Sequence, residues 1–97
     1  MQKTYEISLD EAVKTLIQLR VNTIFTCREI LDGKNVDSNI NMLAVNEQIH
    51  NDLYNKVVED IAESEFAVLY LHTQQTTSLY LSKINRLLKE VLDEENS

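Results

Sequence analysis

The stretch Ser8–Gly33, SLDEAVKTLIQLRVNTIFTCREILDG, decides the fold. Ser8-Leu9-Asp10-Glu11 has the form of a capping box, in which the serine hydroxyl accepts from the backbone three residues on and the glutamate reaches back. Asp10 and Glu11 also suit the positive end of a helix dipole. From there Leu9, Val13, Leu16, Ile17, Ile24, Cys27 and Leu31 recur at spacings of three and four, with Val21 extending the stripe. That is the periodicity of one helix face. Asp32-Gly33 ends the run, because glycine takes the left-handed conformation that closes a helix. The spacing predicts a helix over 9–32, about 36 Å long.

The rest of the chain follows the same pattern. Gly33 is the only glycine among 97 residues, and there is no proline and no tryptophan. A chain so short of turn residues folds most simply as long helices joined by tight connections. Lys34-Asn35-Val36-Asp37 forms a polar connection, and Asp37 or Ser38 is placed to cap the next helix. Met42, Val45, Ile49, Leu53, Val57 and Ile61 make a second stripe, with Ile40 at its start, and predict a helix over 39–62. Ala62-Glu63-Ser64-Glu65 marks the break, with Ser64 as the following N-cap. Phe66, Leu69, Thr73, Thr77, Tyr80, Ile84, Leu88 and Val91 then keep one helical phase and predict a helix over 65–93. Within it lies the polar waist His72–Ser78, and the alternative is a third helix broken near 73–78. The tail from Asp93 is acidic and sits at the unfavourable end of the dipole. The fold class expected is all-α: a small three-helix bundle forming a single domain over 1–97.

Sixteen acidic side chains against nine basic ones give a net charge of −7. This argues against direct nucleic-acid binding, which needs a basic face to displace counterions, and against an anionic membrane surface. Residues 1–33 carry a net −1, while 34–62 and 63–97 carry −3 each. A partner with a basic groove is therefore favoured by the last two thirds of the chain. No apolar run is long enough to span a bilayer, and the first residues do not have the pattern of a secretory signal. One cysteine suits a reducing compartment, so a cytoplasmic protein is expected. A core this small makes a dimer or a bound partner a reasonable expectation.

Chemistry-bearing patterns are sparse. Glu47-Gln48-Ile49-His50 is a Glu-x-x-His pair on a helix, half of a di-iron carboxylate pattern. The second pair is missing, since His72 has Leu69 three residues before it, although a homodimer could supply another copy. The preferred reading is a surface acid beside a partly exposed histidine, with no metal. Cys27 lies on an apolar face with no histidine tied to it, which fits a structural thiol rather than a nucleophile. One glycine cannot build a phosphate loop. No enzyme activity and no cofactor are expected. In the waist, Tyr70, His72, Gln74, Gln75 and Tyr80 could form a recognition surface. The preferred reading is a solvent-facing turn with only Thr73 and Thr77 directed inward. Lys83, Arg86 and Lys89 serve the negative helix end and pair with Glu90.

Ahead of the first helix, Lys3-Thr4-Tyr5-Glu6-Ile7 alternates charged and apolar side chains, and Ile7 precedes the Ser8 cap as in a hydrophobic staple. This segment, the Lys34-Asn35 turn before Asp37-Ser38, and Leu43-Ala44-Val45-Asn46 in the middle helix together resemble the epsilon antitoxins of the epsilon/zeta toxin–antitoxin systems. The resemblance implies a three-helix protein that holds a P-loop sugar-nucleotide kinase toxin inactive by covering its nucleotide site. It assigns the contact to Lys3, Thr4, Tyr5, Glu6 and Ile7 and to the first turns of helix 1, including Asp10 and Glu11. An acidic helix end in a basic phosphate site blocks ATP both electrostatically and sterically. The alternatives are a phage-type inhibitor of a nucleic-acid enzyme, a self-associating helical scaffold or adaptor, and a metal-binding bundle using Glu47 and His50.

Overall fold

The described residues form three α-helices, α1 over Leu9–Leu31, α2 over Val36–Val57 and α3 over Ala67–Asn96, with a 3₁₀ turn at Ile61–Glu63. The computed structural model describes residues 8–96, so the Lys3–Ile7 segment lies outside the described residues. Ser8 caps α1 as its sequence predicts, accepting from the Glu11 N–H at 3.2 Å. The far end closes in a Schellman arrangement. The Lys34 N–H bonds Glu29 O at 2.9 Å and the Gly33 N–H bonds Ile30 O at 3.0 Å. Gly33 sits at φ +74°, where a Cβ would be strained.

Helix 2 departs from its predicted bounds at both ends. It starts at Val36 rather than 39, with Asn35 in the left-handed region as its N-cap and no side-chain cap from Asp37 or Ser38. Asparagine tolerates that conformation, and a tight turn with two left-handed residues lets the helix begin sooner. Its carboxyl end comes at Val57 instead of 62. The 3₁₀ turn then carries Ile61 back into the core beside Val57. Ser64 is the corner between the turn and α3. Its backbone is extended, and its hydroxyl accepts from the Phe66 N–H at 3.1 Å while donating to Asp10 Oδ1 at 2.8 Å.

Helix 3 runs unbroken through the polar waist, so the alternative of a break near 73–78 is set aside. The reason is local. Thr73, Thr76 and Thr77 each donate to the carbonyl four residues earlier, at 2.8, 3.2 and 2.8 Å. Their hydroxyls thus find acceptors within the helix itself, and the run needs no loop to satisfy them.

The assembly is elongated, 58 × 21 × 21 Å, with α1 packed closely along both other helices. Its core comes in two parts. Ala12, Val13, Leu16, Val57, Ile61 and Tyr70 fill one end, and Cys27, Ile30 and Ile84 with Leu43, Leu81 and Leu88 fill the other. Among the described residues no helix is long and apolar enough to cross a membrane.

Candidate functional site

Between the two apolar clusters lies a polar layer. It starts from Arg20, in the middle of α1 and only 6% exposed. Between Leu16 and Cys27 the buried positions of α1 are polar, Arg20, Thr23 and Thr26, while the apolar Ile17, Val21 and Ile24 are only half-buried. The Arg20 guanidinium donates from Nε to Gln74 Oε1 on α3 and from an Nη to Glu47 Oε1 on α2. One side chain thus ties all three helices together. A guanidinium is suited to this, since it presents several donors in a fixed fork and stays charged when buried.

One turn along α2, His50 is buried at 1% exposed. Its Nε2 lies 2.8 Å from the Tyr70 hydroxyl on α3, and its Nδ1 lies 3.1 Å from Asn51 Oδ1. With an amide oxygen facing Nδ1, that nitrogen carries the proton and Nε2 accepts from the tyrosine. Tyr54 and Tyr70 stack on the imidazole at centroid distances of 5.8 and 5.9 Å. Burial lowers the His50 pKa below its ordinary 6.5, and the Arg20 charge acts in the same direction, while Asn51 and Glu47 oppose it. Burial also pushes the Tyr70 hydroxyl up to about 12. Both groups are neutral at pH 7.

This corrects two expectations. Glu47 and His50 are not a surface acid beside a partly exposed histidine: the acid is bound to Arg20, and the ring is buried in a three-ring cluster with Tyr54 and Tyr70. They are engaged with different partners, and among the described residues no three His, Cys, Asp or Glu side chains are grouped to hold a metal. Nor is the waist a solvent-facing turn with only threonines inward. Tyr70 is buried and Gln74 reaches Arg20, whereas His72 and Gln75 are exposed. Tyr80 is half-buried against the second cluster, with Lys83 Nζ 5.4 Å from its ring centroid. Cys27 fits the structural reading, being fully buried with its thiol pushed up to about 11, chiefly by burial.

The lowered His50 pKa has a consequence for stability. The unfolded chain takes up this proton near pH 6.5, the native one only at lower pH. Stability from His50 is therefore complete above 6.5 and declines as pH falls below it, until the native ring also protonates. His50→Gln should flatten the urea-midpoint profile between pH 7 and 5. Parallel profiles for the two proteins would show that other groups control the decline.

Of the residues assigned to partner contact, Asp10 and Glu11 are among the described residues. Asp10 is tied to the start of α3, accepting from Ser64 Oγ and from the Glu65 N–H at 3.2 Å. Glu11 is exposed, its carboxylate 3.7 Å from Lys14 Nζ. A surface that the sequence had placed in the core is instead open. On α2, Met42, Val45 and Ile49 are 50%, 52% and 48% exposed. The inward positions belong to Leu43, Asn46, His50, Leu53 and Val57, because α1 and α3 approach the flank that carries the polar layer. On the α3 side of α2, an open groove is lined by Ile40, Leu43, Ala44, Glu47, Leu81 and Asn85. Comparison with family models, curated proteins and solved structures finds no match to this chain.

Proposed function

We propose that this chain is a small acidic helical protein that binds and neutralises a partner protein, acting as an antitoxin that blocks the nucleotide site of a P-loop kinase toxin. The observation that carries the binding reading is the uncovered Met42–Val45–Ile49 stripe, three apolar side chains in a row on one helix of a protein with net charge −7. Contiguous exposed apolar residues with a polar surround are a usual mark of a protein interface. The amino-terminal mode of blockade draws support from Glu11, an exposed acid in the first turn of a 23-residue helix. That charge suits a basic phosphate site.

The test is to tag the protein, express it in its source cell and identify what co-purifies. A stoichiometric P-loop kinase supports the antitoxin reading, and Glu11→Lys should then weaken inhibition at least tenfold while leaving the helical content unchanged. Capture of a nucleic-acid enzyme would replace the kinase with that target. Recovery of the chain alone, or only as its own oligomer, would remove the neutralising role.

A further inference from the structure

Glu47 is held by only one of its oxygens. Oε1 accepts from Arg20, while Oε2 has no protein partner among the described residues. The side chain keeps 32% of its exposure because it lines the groove between α2 and α3. The other walls are Ile40, Leu43, Ala44 and Leu81, with Asn85 at the rim. An open groove with mostly apolar walls and a carboxylate among its lining residues has a definite chemical preference. A carboxylate accepts several donors at once, so Arg20 does not saturate it, and the surrounding apolar walls strengthen a charge-assisted bond made there. The net charge of −7 draws cations toward the whole surface.

The chemistry differs from that of the outward stripe of α2, which carries no charge between Met42 and Val45. The groove lies on the opposite flank of the same helix and pairs apolar contact with an acceptor. We infer that the α2–α3 groove receives an amphipathic helical segment of a partner protein, which lays leucine-sized side chains against Leu43 and Leu81 and donates a lysine or arginine to Glu47. The inference rests on the partner-binding reading for the nature of the occupant and adds the site and its chemistry. An anionic segment would bring no donor to Glu47 and would meet the chain's net charge of −7, so acidic helices are disfavoured.

A peptide helix built of leucine on one face and lysine on the other serves as the probe, with a leucine/glutamate helix of the same length as its control. Binding to the intact protein is followed by backbone chemical shifts and by fluorescence titration at two salt concentrations. The lysine helix should bind with the largest shifts at Leu43, Ala44, Leu81 and Asn85, and more weakly at high salt. Ala44→Lys and Asn85→Lys change exposed lining positions without entering the core, and each should weaken binding at least tenfold. Met42→Lys, on the other flank, should not. Glu47→Gln should lower the preference for the lysine helix, and its helical content by circular dichroism separates this from unfolding. Shifts centred on Met42, Val45 and Ile49 would overturn the groove assignment, as would equal binding of the glutamate helix or indifference to Ala44→Lys. The two readings fail separately. A captured partner that still binds the Ala44→Lys protein leaves neutralisation standing without the groove, whereas groove binding with no cellular partner removes neutralisation alone.

Discussion

Glu47→Leu should lower the unfolding free energy by about 3 kcal/mol, the cost of leaving a buried guanidinium without its anionic partner. Arg20 is the reason. Its side chain is only 7% exposed, so loss of Glu47 leaves it with neutral partners alone, Gln74 and the Tyr70 hydroxyl. For a domain of this size such a loss is a large share of the total stability, which for small proteins is on the order of 5–15 kcal/mol. Removal of the other member should cost less. In Arg20→Met the carboxylate keeps its opening to the groove and rehydrates, so about 1 kcal/mol is expected. The double variant, Arg20→Met with Glu47→Leu, replaces a charged layer by apolar contact and should recover most of the loss. Urea denaturation of the four proteins gives the coupling directly. If Glu47→Leu changes the stability by less than about 0.5 kcal/mol, a range typical of surface substitutions, the layer is solvated and does not clamp the helices.

Leu16→Ala should cost about 3 kcal/mol, the usual result of removing a fully buried leucine and leaving a cavity that its neighbours fill only in part. Leu16 is completely buried among Val13, Val57 and Tyr70. Its contribution is best measured against Ile49→Ala, an equally apolar residue that the helical stripe of α2 places in the core and the structure leaves 48% exposed. That change should cost less than about 1 kcal/mol. Equal losses at the two positions would mean that α2 is rotated to bury Met42, Val45 and Ile49, which would remove the surface on which the binding reading rests.

Helix α1 was legible almost to the residue because its ends are made by local chemistry. A serine hydroxyl caps one end and a left-handed glycine closes the other, and neither needs a distant partner. The continuity of α3 was legible for a related reason. Its apolar phase survives the threonine run, and the threonines satisfy their own hydroxyls on the preceding turn. The bounds of α2 were less readable. Its start depends on Asn35 adopting a left-handed backbone, and its end depends on Ile61 swinging into a core made by other segments. The polar layer left no clear trace, because Val21 carries the apolar stripe of α1 past Arg20. A lone arginine inside a helix reads as a surface residue until its acceptors are known.

Residue types and spacing thus determined by themselves that this protein is three helices, where the first begins and ends, and that its surface is strongly acidic. These properties are settled within one or two helical turns, by backbone capping and by the periodicity of side chains. Tertiary structure alone decided which flank of each helix faces inward. Arg20, Glu47 and Gln74 come from three separate helices, and His50 meets Tyr70 across twenty residues of chain. Once those polar groups are buried they must find one another, since an unpaired donor or charge in the interior costs more than an exposed isoleucine. That requirement favours the rotation of α2 in which Asn46 and His50 face inward with Leu43, Leu53 and Val57, while Met42, Val45 and Ile49 stay outside.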